Sequence, residues 1–222
     1  MSVITICLTN WKRPENLHQI IGQLRRQSLP VQIFLWNNGE RFDSPWLDWQ
    51  VDSSLNKVCA PRWFMAASAD TDFVCILDDD LFLADDNIMS DMINIAHNLP
   101  DDTIIGPTGV KLVPGLTYRD AHHLYSFRCE ESVDTPCDII KGSLMLMRTS
   151  ALRKHINLDV FNYCREEDII VSALLAEGKR NHHLCLTSFG DRFRSVGNDA
   201  FALWRQEGHM EARQSACMRF FI

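Results

Sequence analysis

Three consecutive aspartates, Asp78, Asp79 and Asp80, follow directly on the apolar run Val74-Cys75-Ile76-Leu77. A stretch from 73 to 77 with almost no polar side chain predicts a strand covered on both faces, central in a sheet, that delivers the carboxylates to its C-terminal edge. That edge is where open α/β sheets bind ligands. Asp78 and Asp80, one residue apart, leave the strand on the same side and can share a hard divalent cation that also needs phosphate oxygens. Capping of the next helix is the plainer use of such acids. Asp85 and Asp86 fill that role better, because they stand directly before the periodic segment 87–98.

A second acidic cluster, Arg165-Glu166-Glu167-Asp168, precedes Ile169, Ile170, Val171, Ala173, Leu174 and Leu175. Acids at a helix N-terminus are favoured by the macrodipole alone. Transfer of a sugar also needs a carboxylate near the reacting carbon or the acceptor hydroxyl, distinct from the acids on the metal. Asp168 is the candidate, with Glu167 as its neighbour. Near the C-terminus, Arg205, His209 and Arg213 stand at i, i+4 and i+8 on an expected helix from about 199 to 216. Such a row is either a solvated face or a set of cations folding back on a diphosphate, with Arg213 as a bidentate donor. Gly208 weakens this helix by about 1 kcal/mol and can mark a bend.

These groups need a scaffold. Val3 to Leu8 reads as a buried strand, Pro14 opens a helix carrying Leu17, Ile20, Ile21 and Leu24 at helical spacing, and Val31 to Trp36 gives a second strand ending in the turn Asn37-Asn38-Gly39. A helix is expected at 61–69, a strand at 73–77, a helix at 87–98 and a strand at 103–106. Strands alternating with helices imply a doubly wound, nucleotide-binding half over about 1–110. The remainder, about 111–222, is less regular: a loop or hairpin region at 118–136, a strand-like run at 138–147 in which Lys141-Gly142-Ser143 lets a ligand approach the backbone, and a helix at 167–177. Thr9, Arg13, Asn37 and Asn38 follow strand ends where a base and ribose would lie, and Asn56 and Arg62 flank a helix start suited to pyrophosphate. His122-His123 and His182-His183 read as surface histidines.

A chain of 222 residues, 46% hydrophobic, is long enough for one large α/β core. The net charge of −7 argues against a nucleic-acid partner. It is unevenly spread: Lys179 to Ile222 holds seven Lys or Arg against four Asp or Glu, which is +3 there and −10 elsewhere, and points to a local anion site. Eight cysteines without a Cys-x-x-Cys pair oppose zinc and redox motifs and imply a reducing compartment, and no run reaches the ~20 apolar residues of a membrane span. A cytoplasmic location follows as the expectation; peripheral membrane association and the oligomeric state stay open.

Taken in order, Thr9-Asn10-Trp11-Lys12-Arg13, Trp36-Asn37-Asn38-Gly39-Glu40, Asn56 with Arg62, Leu77-Asp78-Asp79-Asp80, Ile105-Gly106, Lys141-Gly142-Ser143, Glu167-Asp168-Ile169, and Trp204 with His209 and Arg213 resemble the exostosin-like glycosyltransferases over nearly the whole chain. The resemblance implies a single GT-A-type, Rossmann-like α/β domain with a mixed, mostly parallel sheet flanked by helices. It implies a uridine-diphosphate sugar as donor, Mn²⁺ (or Mg²⁺) at the aspartate turn with Asp80 as the main ligand, Asp168 at the reacting centre and Arg213 on the diphosphate. Arg13, Asn38, Asn56 and Arg62 would contact the nucleotide, as would Thr9, Asp78 and Asp79; Asp78 and His209 complete the candidate metal set. Family members retain anomeric configuration and use N-acetylhexosamine donors. Glu167 stands where the family tends to have Asp, and the chain is short around 113–137.

The expected function is therefore metal-dependent transfer of a sugar from a UDP-sugar to a glycan or other hydroxyl acceptor. Asp168 would either deprotonate the acceptor, giving inversion, or orient it and stabilise an oxocarbenium-like transition state, giving retention. A nucleotidyltransferase is the alternative among enzymes, although Thr9 to Pro14 lacks the glycine-rich basic loop such enzymes use. A catalytically silent nucleotide-sugar-binding protein would keep Asp80 and have no use for Asp168.

Overall fold

Seven consecutive buried residues make β1 (Ile4–Asn10) the spine of the largest sheet. The computed structural model describes residues 3–113, 115, 118, 122–128, 133–156, 165–196 and 202–221. On one side β1 pairs in parallel with β2 (Val31–Asn37), whose outer edge carries β3 (Trp49–Asp52), again in parallel. On its other side lies β4 (Phe73–Asp78), also parallel. The expected apolar strand is thus central, and its last residue is the first aspartate.

Beyond β4 the sheet continues through β11 (Leu144–Arg148), β6 (Ile105–Gly106), β12 (His183–Cys185) and β9 (Thr135–Cys137). Pairing is antiparallel on both sides of β11 and between β12 and β9, and parallel between β6 and β12. Strands from both halves of the sequence therefore share one mixed, mostly parallel sheet. Two small sheets flank it: β5 (Leu81–Leu83) with β13 (Phe193–Ser195), and β7 (Thr108–Leu112) between β10 (Ile139–Ile140) and β8 (His122–Ser126).

Helices cover the faces. α1 (Pro14–Arg25) has Pro14 in its first turn and buries Leu17, Ile20, Ile21 and Leu24, the stripe that its period predicts. α2 (Arg62–Ser68) buries Trp63, Met65 and Ala66 on the other side, among Cys7, Val74 and Ile76. α3 (Ile88–Ala96), α4 (Thr149–His155), α5 (Glu167–Ala176) and α6 (His209–Phe221) follow. No helix among the described residues is long and apolar enough to cross a membrane.

Four expectations need correction. The run 138–147 is two strands in two sheets, because the chain leaves β10 at Lys141-Gly142-Ser143 and re-enters the large sheet at Leu144. α6 starts at His209, not near 199: Leu203–Arg205 is a single 3₁₀ turn and Gly208 follows it with φ +76°, so Arg205 does not share a helix face with His209 and Arg213. Residues 199–201 lie outside the described ones. Asp85 and Asp86 do not cap α3 from the N-cap position; Asn87 is there without a side-chain cap bond, while Asp85 accepts from the Asn87 N–H and joins Asp91 in holding Arg192 beside β13. His183 is buried, its ring bonded to the Ile104 N–H and the Ser172 carbonyl oxygen, whereas His182 meets Asp102; the His122 and His123 side chains are not described.

Candidate active site

The strand order β3-β2-β1-β4 turns back at β1: β2 and β3 lie to one side and β4 to the other. The connections therefore diverge between the C-terminal ends of β1 and β4, which opens a crevice there. A cleft of about 280 Å³ occupies that crevice. Thr9, Arg13, Asn38, Asn56, Arg62, Asp78, Asp79, Asp80, Glu167, Asp168, His209 and Arg213 all line it. The fold thus gathers these residues around one space, from segments more than 200 positions apart in sequence at the extremes; Asn37, whose amide accepts from Asn10 and donates to Glu40 and Asp52, and Arg205 are not among the lining residues.

The three aspartates diverge in use. Asp79 turns inward, 6% exposed, where it takes the Arg13 guanidinium and the Trp11 N–H (3.0 Å), and its own carbonyl accepts from Asn16. Burial, only partly offset by Arg13 and Trp11, pushes its carboxyl up to about 6. Its placement is that of a pin between the loop after β1 and the end of β4. Asp78 pairs with Arg62, while Asp80 Oδ2 lies 3.5 Å from Arg13 Nη1.

Arg62 is 1% exposed, in the first turn of α2. Besides Asp78 it donates to the Gly142 carbonyl (3.1 Å) and to Glu167 Oε1 (3.3 Å). It thereby ties β4, the sheet-changing segment and α5 together. Space at 142 is tight: a Cβ there would stand 3.1 Å from Arg62 Nη2, which would have to give by a few tenths of an ångström, and in ordinary contact, 3.6 Å, with Asp168 Cβ. Glu167 is 4% exposed, and its burial, opposed by Arg62, lifts its carboxyl to about 7.

Asp168, the next residue on α5, has the opposite fate. Its two oxygens receive Arg213 Nη1 at 3.0 Å and Nη2 at 2.9 Å, a bidentate fork, and Oδ2 also accepts from the Gly142 N–H at 3.3 Å. Burial alone would raise its pKa, but the Arg213 charge and hydrogen bonds outweigh that and hold the carboxyl below the usual range. Arg213 is fixed in turn by its Nε, which donates to the Tyr118 hydroxyl at 3.0 Å, an oxygen that also accepts from Lys141 Nζ at 2.9 Å. One turn earlier on α6, His209 Nδ1 is buried without a hydrogen-bond partner, and burial followed by the Arg213 charge brings its pKa down to about 4. Neutral imidazole therefore faces this cleft at neutral pH.

On the β1–β2 side Arg13, paired with Asp79, is the charged lining residue, while Thr9, Asn38 and Asn56 are uncharged. Thr9 Oγ1 is buried without a partner. Asn38 is 4% exposed and its amide is engaged by the protein: Oδ1 accepts from Trp36 Nε1 (3.0 Å) and the Lys57 N–H (2.8 Å), and Nδ2 donates to the Val58 carbonyl (2.9 Å). Asn56 Oδ1 accepts from the Val58 N–H (2.8 Å). Tyr118, Val58 and Cys59 were invisible to sequence reading, since none belongs to a motif and their roles arise only from tertiary approach.

Among the described residues no three His, Cys, Asp or Glu side chains form a group able to close around an ion. Two carboxylates at the end of β4 fit a different arrangement, in which one or two protein oxygens and the phosphates of a substrate complete the shell.

Residues 2–222 match the glycosyl transferase family 64 domain. The chain belongs to that family. No curated protein sequence matches it. Among solved structures, Staphylococcus aureus TarS (residues 1–349, in complex with UDP-GlcNAc) superposes with a TM-score of 0.65 at 13% identity, over 98% of this chain and 66% of that one. A mannosyltransferase from Pyrobaculum calidifontis, in complex with GDP-Man and Mn²⁺, gives 0.63 at 14% identity, over 98% and 64%. At such identities the likeness is one of fold, the GT-A fold, and this family 64 chain spans about two thirds of the length of each.

Proposed function

We propose that this family 64 chain is one glycosyltransferase unit that moves a sugar, an N-acetylhexosamine or related hexose, from a UDP-sugar to a hydroxyl of a glycan acceptor. The observation that carries the reading is Asp168: a buried, ionised carboxylate, aimed by Arg213, stands across one cleft from the aspartates that end β4. Asp80 and Asp78 would hold Mn²⁺ or Mg²⁺ together with the donor's phosphates. The ion would supply positive charge against the leaving diphosphate.

The protein groups divide the remaining work. Thr9, Asn38 and Asn56 offer uncharged groups suited to base and ribose, while Arg13, Arg62, Lys141 and Arg213 bring positive charge to the cleft. Arg213 would reach a diphosphate only by exchanging part of its contact with Asp168. An acid held below its usual pKa is a weak base, which favours Asp168 as a stabiliser of the oxocarbenium-like transition state, with retention. Glu167, lifted to about 7, favours a second reading in which it accepts the acceptor proton and configuration inverts. The test is a panel of nucleotide sugars followed for hydrolysis with and without Mn²⁺, with the product anomer read by NMR. Metal-dependent release of the α-anomer from a UDP-α-sugar supports retention; the β-anomer gives the role to Glu167; no turnover with any donor ends the enzymatic reading.

A further inference from the structure

Val58 has φ +57°, a conformation in which a β-branched side chain crowds its own backbone. Glycine would adopt it without strain. The surrounding chain nonetheless enforces it. Asn56 Oδ1 accepts from the Val58 N–H at 2.8 Å, Asn38 Nδ2 donates to the Val58 carbonyl at 2.9 Å, and Asn38 Oδ1 fixes the preceding peptide through the Lys57 N–H at 2.8 Å. Both peptide groups flanking Val58 are thus clamped by asparagine side chains, one of which is itself buried and held by Trp36.

Core packing does not account for a valine there. Val58 is half-buried and belongs to none of the hydrophobic clusters of the interior; it lines the cleft. Sheet order places it after β3 and against Asn38 at the end of β2, beside the uncharged lining residues Asn38, Asn56 and Cys59; the lining cation nearest in sequence, Arg62, is paired with Asp78, and Lys141, Asp168 and Arg213 belong to the elements beyond β4. A ligand with a flat uncharged part and a diphosphate would lie with the former toward Val58. Strain that the structure over-determines collects at ligand clamps.

We propose that Val58 is a positioning residue for the donor: a strained apolar wall, held by Asn38 and Asn56, against which the nucleoside packs. The inference rests on the nucleotide-sugar reading given above. It is tested with Val58→Gly and Val58→Ala, by calorimetry with uridine and UDP in the presence of Mn²⁺ and by thermal melting. Glycine relieves the backbone and removes the wall, so Val58→Gly should melt at or above the native temperature yet bind both ligands about tenfold more weakly. Alanine keeps the strained backbone and trims the wall, so its affinity should fall for uridine and UDP by the same factor while its melting temperature stays below that of the glycine variant. Native affinity in Val58→Gly, or affinity and melting temperature that fall together in it, overturns the proposal. A native protein that binds neither uridine nor UDP overturns the nucleotide-sugar reading and this inference with it.

Discussion

Asp168 and Arg213, 45 positions apart, meet as a two-pronged ion pair at 3.0 and 2.9 Å where the N-terminus of α5 approaches α6. Both side chains are about 5% exposed, so each would be a desolvated charge without the other. Removing one partner of such a pair costs about 3–5 kcal/mol, mostly because a buried charge is left alone. Asp168→Ala and Arg213→Ala should each lower urea stability by that order, and the double variant should lose clearly less than the sum. Additive losses in the double-mutant cycle would show that the two do not act as a pair.

Asp79 and Asp80 are adjacent, yet their surroundings separate their roles. Asp79 pins Trp11 and Arg13 and is 6% exposed, so Asp79→Ala should destabilise the fold by about 1–3 kcal/mol. Asp80→Ala should leave melting nearly unchanged but abolish the Mn²⁺ enhancement of UDP binding. Calorimetry with equal UDP affinity with and without metal in the native protein would remove the ion from the account.

Glu167 gives a pH signature. Its folded pKa of about 7 lies above its ordinary 4.5, so its contribution to stability is fully present below 4.5 and is lost as pH rises through 7. Asp79, lifted to about 6, declines in the same window. Glu167→Gln should therefore gain on the native protein as pH increases from 5 to 8. A stability difference between the two that stays flat with pH would contradict the burial of an acid at 167.

Much of this was legible in the sequence where one segment carries its own pattern. The apolar run before Asp78, the helical stripe of α1 and the acidic start of α5 each fix an element and place its functional end at the sheet edge. What stayed hidden depends on partners from elsewhere. Nothing near Arg62 shows that it will be swallowed between Asp78 and Glu167, and the spacing of Arg205, His209 and Arg213 suggests a shared face that the backbone at Gly208 interrupts. The resemblance placed Arg213 on a diphosphate; the carboxylate it grips could be found only by folding α6 onto α5.

The account turns on Asp168 acting at the transition state in a site that binds UDP-sugar, and Asp168→Asn measures this most directly. With the donor that the native protein hydrolyses best, in Mn²⁺, the variant should lose donor hydrolysis by about a hundredfold or more while its UDP affinity stays within about threefold of native, the pattern of a group whose interaction strengthens only as the bond breaks. UDP affinity that falls as far as the rate, or a rate that is unchanged, would contradict it.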